Sequence, residues 1–356
     1  MQRDRKPKKH RAPAAAEYEV ITEAPSPSLA TREDANRLFE TVRANIVVVD
    51  QPLVLVSQIQ RSGGTLLNKL FDGHPGVHSH PSELHIGHPV KSKWPILDLA
   101  GTSDAWLGQL KEAWIAKRFE LGFGKRVLNR AGYPSLPFTL APSFLAHLFR
   151  IVCAEDPPRS PREILDRYFT AFFNAWIDCQ GLRESPKRWI TAFCPRLAWG
   201  DGRNGFWADY PDGRLIMCHR DPRGWYASAV LHKASYRDVA SALALWRRNA
   251  NEILAAKAER PGNVFVLTYE GLVADPERTM GTIAGWLGIR PDPILLSPTF
   301  NRLPTLPNSS YLLRDWGIST ESLERWREVL SGGTVAQVEA ETLELDAAVR
   351  ETADVT

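Results

Sequence analysis

The stretch Gln60-Arg61-Ser62-Gly63-Gly64-Thr65-Leu66-Leu67 places an arginine, two hydroxyls and two adjacent glycines side by side. A phosphate or similar anion carries several oxygens that need donors once they leave water. A glycine turn that opens a helix supplies backbone N–H groups, and the helix N-terminus adds a partial positive charge. Gly63 and Gly64 let the backbone approach the anion with no Cβ in the way. Ser62 and Thr65 add hydroxyl donors, and Arg61 adds a charge-assisted fork. The nucleoside-triphosphate loop would need Gly-x-x-x-x-Gly-Lys-[Ser/Thr]. Here no glycine stands at the required distance before Gly63, and no Lys-Ser/Thr pair follows. That weighs against kinase and ATPase chemistry. For this stretch alone, a tight turn with no ligand is the competing reading.

A second stretch has related chemistry. Arg214 to Cys218 reads as a strand delivering Arg220 to its end, and Asp221-Pro222 then reads as an N-cap followed by proline at the first helical position. Ser228 falls two turns into the helix expected over 222–232, so Arg220 and Ser228 can jointly hold a second phosphate. A third stretch, His78-Ser79-His80-Pro81-Ser82-Glu83-Leu84-His85-Ile86-Gly87-His88, concentrates titratable groups. Four histidines and a glutamate suit acid–base work; their spacing does not match a metal-ligand motif.

The elements that must position these groups are legible in outline. Leu53 to Ser57 is a continuous apolar run of the kind found in buried parallel strands, and Leu66, Leu67, Leu70 and Phe71 have helical spacing. Ser160-Pro161-x-Glu163 starts a helix whose apolar stripe runs through Ile164, Tyr168, Phe172, Ala175 and Cys179 to Gly181. Ser235 with Asp238 opens another helix, Val264 to Thr268 reads as a strand, and Asp275-Pro276 caps a helix ending at Gly288. Strands alternating with helices predict an α/β fold: a P-loop-like three-layer sandwich with a central parallel sheet flanked by helices. Ligands in such sheets sit at the carboxyl ends of the strands, which is where both anion stretches fall. Residues 1–30 are expected to form a flexible basic, Pro- and Ala-rich tail. Residues 31–356 are expected to form a single domain, with about 90–180 a largely helical insertion. Trp94, Trp106, Trp114, Tyr133, Phe138, Phe144 and Phe149 in that insertion fit ordinary core more readily than a ligand surface.

Composition narrows the class. Hydrophobic residues are 44% and charged residues 24%, as in ordinary globular chains. The net charge of +3 is set by the first eleven residues, which hold six Lys/Arg. The rest lacks the broad basic field of a nucleic-acid binder. Cys153, Cys179, Cys194 and Cys218 form no C-x-x-C pair and suggest free thiols. No apolar run reaches membrane-spanning length and no apolar segment follows the basic N-terminus, so a cytoplasmic location is the expectation.

The ordered set of motifs resembles the superfamily of sulfotransferases that use 3′-phosphoadenosine 5′-phosphosulfate (PAPS). Arg61 to Leu67 matches the family's 5′-phosphosulfate loop, and Arg220-Asp221-Pro222 with Ser228 matches its 3′-phosphate signature. Val266 to Leu272 and Asp275-Pro276 match the strand and continuation that follow, and Asn308-Ser309-Ser310 resembles a nucleotide-capping loop. The resemblance implies that Arg61, Ser62, Gly63, Gly64, Thr65 and Leu66 bind the phosphosulfate. It assigns the 3′-phosphate to Arg220 and Ser228, and places Tyr269 and Asn308–Ser310 beside the nucleotide. It also implies in-line sulfuryl transfer to a hydroxyl of a carbohydrate or other small molecule, with no metal. Glu83 would be the general base, with His80 and His85 as runners-up, and Arg61 would stabilise the leaving phosphate. The chain departs from the pattern at Arg61, where small-molecule cytosolic members carry lysine, and at Phe193-Cys194-Pro195-Arg196, where many members place a lysine. Protein-tyrosine sulfation, a P-loop-like kinase and a non-catalytic nucleotide binder are the alternatives.

Overall fold

The computed structural model describes residues 31–87, 90, 92–110, 112, 114–121, 136–184, 186–305 and 317–356. They fall into two compact units divided after Asn45. In the first unit, helix α1 (Arg32–Arg43) opens with a capping box in which Thr31 and Asp34 satisfy each other's backbone N–H groups.

In the second unit the chain runs β1 (Leu53–Val56), α2 (Gly64–Leu70), β2 (Val77–Glu83), α3 (Ser103–Leu110), α4 (Trp114–Leu121), α5 (Pro142–Glu155) and α6 (Pro161–Ala175). It continues through β3 (Trp189–Phe193), α7 (Asp201–Asp209), β4 (Arg214–His219), α8 (Pro222–His232), α9 (Val239–Glu259) and β5 (Val264–Thr268). Then follow α10 (Tyr269–Ala274), α11 (Pro276–Leu287), a short hairpin of β6 (Thr299–Phe300) and β7 (Leu303–Pro304), α12 (Trp326–Val329) and α13 (Gly332–Thr352).

Strands β1 to β5 form one parallel sheet in the order β2-β3-β1-β4-β5. Every residue of β1 is buried, as a strand covered on both faces requires. Val54, Val56, Ile216 and Cys218 point to one face and pack with Leu67, Leu70 and Phe71 of α2 and its C-terminal end, and with Met280, Ile283 and Leu287 of α11. The alternate residues Leu53, Leu55, Leu215 and Met217 are equally buried on the other face. The expected three-layer α/β architecture is therefore present. From β1 the chain passes to β2 and β3 on one side of it, and from the neighbouring β4 it passes to β5 on the other. The carboxyl end of β1 is thus a topological switch point, where such sheets open a crevice.

Local signals set most boundaries. Asp221, Asp238 and Asp275 each accept a backbone N–H at the start of α8, α9 and α11, and Gly288 ends α11 with φ 63°. Helix α6 departs from expectation. Ser160 caps it as predicted, but it ends at Ala175 rather than continuing through Cys179 to Gly181. Trp176 turns into the core against Phe138 and Phe300. Asp178 then bonds the Thr139 N–H and the Asn301 side chain. These long-range contacts outweigh the helical spacing of Cys179.

Candidate active site

The turn after β1 is built on unusual backbone. Arg61 has φ 71° and Gly63 φ 88°, both left-handed, a region that favours glycine. A Cβ on Gly63 would lie 2.6 Å from the Tyr269 ring, and one on Gly64 would lie 2.0 Å from the Gln58 amide and 2.3 Å from the Phe193 ring. The two glycines therefore let the loop lie against the ends of β3 and β5. Ser62 is buried, and its hydroxyl has no hydrogen-bond partner among the described residues.

The stretch after β4 meets this turn directly. Arg220 Nη1 donates to the Arg61 carbonyl at 2.7 Å, and Arg61 Nε donates to Ser228 Oγ at 3.1 Å. Each anion stretch thus hydrogen-bonds the other. Arg220 is 5% exposed, lies 4.2 Å over the Tyr269 ring, and its Nε is buried without a partner among the described residues. The scaffold is tied from behind: Trp225 donates to the Gln60 carbonyl, Trp246 to the Arg220 carbonyl, and the Ile59 N–H to Asn249. The Tyr269 hydroxyl bonds Ser322 at 2.8 Å.

Arg61, Arg220, Ser228, Tyr269 and Ser322 line a cavity of about 180 Å³. Of the residues expected at the site, Arg61, Gly63, Gly64, Thr65, Leu66, Glu83, Arg220, Ser228 and Tyr269 line it. Ser62 is buried and is not among the lining residues. Asn308, Ser309 and Ser310, and His88 of the histidine stretch, lie outside the described residues. Lys69 and His232 also line the cavity, and sequence reasoning missed both. Each stands four residues after an expected ligand on the same helix, Lys69 after Thr65 and His232 after Ser228, so helical spacing alone could have found them. Lys69 Nζ donates to Thr305 Oγ1 at 2.6 Å. Arg196 does not line the cavity; with the Gln60 amide oxygen turned toward it, its Nη2 and Nε donate to that oxygen at 3.0 and 3.2 Å.

Glu83 ends β2 opposite Phe193 of β3, and its side chain is one-third exposed. His85 Nε2 lies 3.0 Å from Glu83 Oε2. The expectation that His80 could serve as base is corrected. Its ring is wholly buried, does not line the cavity, and has both nitrogens on oxygen acceptors, Glu112 Oε1 at 3.1 Å and the Ser82 carbonyl at 2.9 Å. His78 is also buried, and desolvation, with the nearby Lys187 charge, pushes its pKa down to about 3. Among the described residues no group of three or more His, Cys, Asp or Glu is placed to hold a metal ion. The four cysteines are unpaired with one another, and burial holds the Cys218 thiol well above its ordinary range.

The aromatics between β2 and β3 belong to the core. Trp106 donates to the Asp98 carbonyl and Trp114 to Glu112. Phe138 and Phe149 are buried, and none of the described members of that set lines the cavity. Tyr133 lies outside the described residues. No described helix is long and apolar enough to cross a membrane.

Residues 144–293 match the model of a family described as the sulfotransferase family. No curated protein matches the chain by sequence. The fold is similar to that of the sulfotransferase domain from the Synechococcus PCC 7002 olefin synthase, with 20% identity over 85% of this chain and 95% of that one and a TM-score of 0.54. A sulfotransferase domain from the curacin biosynthetic pathway aligns at 16% identity over 87% of this chain and 100% of that one, TM-score 0.48. The sulfotransferase STF9 from Mycobacterium avium aligns at 16% identity over 91% and 85%, TM-score 0.41.

Proposed function

We propose that the chain is a PAPS-dependent sulfotransferase, a reading supported by the sulfotransferase-family match over residues 144–293 and by the shared fold, that its cavity binds PAPS and that Glu83 accepts the proton of an acceptor hydroxyl. In this reading Arg61 and the turn through Leu66 hold the 5′-phosphosulfate, and Arg220 with Ser228 holds the 3′-phosphate. The observation that carries it is the cross-bonding of the two anion stretches around one cavity that also receives Glu83. Arg220 Nε, buried without a partner among the described residues, is the kind of donor an oxygen-rich ligand satisfies.

Bound PAPS would supply an activated sulfuryl group on a phosphate leaving group. The chain's own part is positioning and charge. Arg61 and the turn amides stabilise negative charge on the leaving phosphate. Glu83 takes the acceptor proton as the oxygen–sulfur bond forms and the sulfur–phosphate oxygen bond breaks. Holding the reactants in line makes the step effectively unimolecular. The acceptor is proposed to be a hydroxyl of a carbohydrate or other small molecule, for which the mixed lining of Lys69, Phe193 and Pro195 beside Glu83 is suited.

The first test is calorimetric titration with adenosine 3′,5′-bisphosphate (PAP) against an ATP control. Binding that disappears in Arg220→Ala and is absent for ATP is the expected result. Preference for ATP, or no nucleotide binding, would remove the reading.

A further inference from the structure

Glu112 does not line the cavity. It is 3% exposed, and yet its carboxylate receives donors from four separate places in the chain. Oε1 accepts from His80 Nε2 at 3.1 Å and from the Tyr168 hydroxyl at 2.5 Å. Oε2 accepts from the Trp114 indole at 2.6 Å and from the His85 backbone N–H at 3.0 Å. A carboxylate offers about four acceptor sites, so this one is saturated and has no lone pair left for proton transfer with a substrate. Burial by itself would raise the Glu112 carboxyl. The charge on the facing His80 ring, then the hydrogen bonds from His80, Tyr168 and the His85 amide, outweigh burial and hold it below the usual carboxylate range.

The His85 amide links this buried anion to the cavity. Leu84, between Glu83 and His85, is fully buried, and its N–H donates to the Phe193 carbonyl at 2.8 Å, continuing the sheet pairing. One residue later the main chain is held by Glu112 instead. The His85 ring then returns to Glu83 Oε2 at 3.0 Å. Glu83 is therefore pinned by the sheet through Leu84 and by Glu112 through His85. Trp114 begins α4 and Tyr168 lies on α6, so the same carboxylate ties the helices between β2 and β3 to the end of β2.

We propose that Glu112 is a positioning residue that sets the placement of the Glu83 carboxylate in the cavity, acting through the His85 amide and ring. The proposal rests on the reading of Glu83 as the base. A glutamine at this position has the same shape but turns one acceptor oxygen into an NH₂ donor. Two of the four N–H or O–H groups would then face a donor, leaving them unsatisfied in a buried site.

The test compares full-length wild type, Glu112→Gln and Glu83→Gln in the slow hydrolysis of PAPS to PAP, in which water replaces the acceptor, across a pH series. PAP calorimetry and thermal melts run in parallel. For Glu112→Gln the expected result is PAP affinity and PAPS KM within about twofold of wild type, kcat lower by about ten- to a hundredfold, the scale of a misplaced catalytic group, and a displaced acid limb in the kcat–pH profile. A folded Glu112→Gln whose kcat and pH profile match wild type overturns the proposal, because a purely structural anchor would change the melt alone. If Glu112→Gln does not fold, Tyr168→Phe is read in its place, since it removes one donor and keeps the carboxylate. A severalfold lower kcat at unchanged PAP affinity then supports the proposal, and an unchanged kcat overturns it. Wild-type turnover in Glu83→Gln defeats the base assignment and the positioning role together. An inactive Glu83→Gln beside a normal Glu112→Gln defeats the positioning role alone.

Discussion

Arg61 joins the two halves of the cavity through both its main chain and its side chain. Its carbonyl accepts from Arg220, and its guanidinium donates to Ser228. Its left-handed backbone, φ 71°, is what lets one residue face both ways; such conformations cost on the order of 1–3 kcal/mol and persist where the surroundings hold them. In the proposed mechanism Glu83 is the residue on which the chemistry turns. Glu83→Gln should bind PAP with wild-type affinity and lose about a hundredfold or more in transfer, the range that a positioned base contributes; calorimetry beside a rate assay checks it, and unchanged turnover would strip Glu83 of the role. The composition of residues 78–88 marks acid–base potential, but only packing separates His85, which touches Glu83, from His80, which is committed to Glu112 and the Ser82 carbonyl.

Helix α8 is the element that places the proposed second anion subsite. Its N-cap Asp221 accepts from Arg223 N at 2.8 Å and Gly224 N at 3.3 Å and also grips the Arg223 guanidinium. Arg220 immediately precedes the cap and Ser228 lies two turns beyond it, so the cap sets both. Asp221→Ala should destabilise the protein by about 1–2 kcal/mol, as lost caps do, and weaken PAP binding several-fold; a denaturant melt with calorimetry measures both. Full PAP affinity in the variant would show that Arg220 and Ser228 hold their places without the cap. The Asp-Pro start of α8 was legible because caps are local: the same few residues that carry the signal make the hydrogen bonds. The end of α6 was not, because Trp176 turns to meet Phe138 and Phe300, which are distant in sequence.

At the scale of the molecule, a buried carboxylate links α6 to the approaches of β1 and β4. Asp166 accepts from the Tyr210 hydroxyl at 3.0 Å and from Arg162 Nε at 3.4 Å, while Arg162 also reaches Asp212 and the Asp50 carbonyl. Burial pushes its pKa up to about 7, with Arg162 and the Tyr210 hydrogen bond opposing that rise. The sign follows from linkage. Between the ordinary carboxylate range and pH 7 the folded protein binds a proton that the unfolded chain does not, so this group's contribution to stability falls as pH rises through that window. At about 1.4 kcal/mol per pKa unit the effect amounts to a few kcal/mol. Asp166→Asn should therefore gain stability over wild type at pH 8 relative to pH 5, read as the difference between their melting temperatures. A constant difference across the series would rule out titration of Asp166.

The sequence alone determined the parts whose signals are local. These are the all-apolar strand β1, the glycine turn after it, the Asp-Pro caps of α8 and α11, and hence the α/β class and the two anion stretches. Tertiary structure decided which of those parts meet. Arg61 and Ser228 bond across 167 positions of sequence, Ser62 is buried without lining the cavity, and Glu112 gathers four donors from β2, the loop after it, α4 and α6. Each of these depends on where the sheet order and helix packing set separate segments. A hydrogen bond is made or lost over a few tenths of an ångström, and no local pattern of residue types specifies such a distance between segments far apart in the chain.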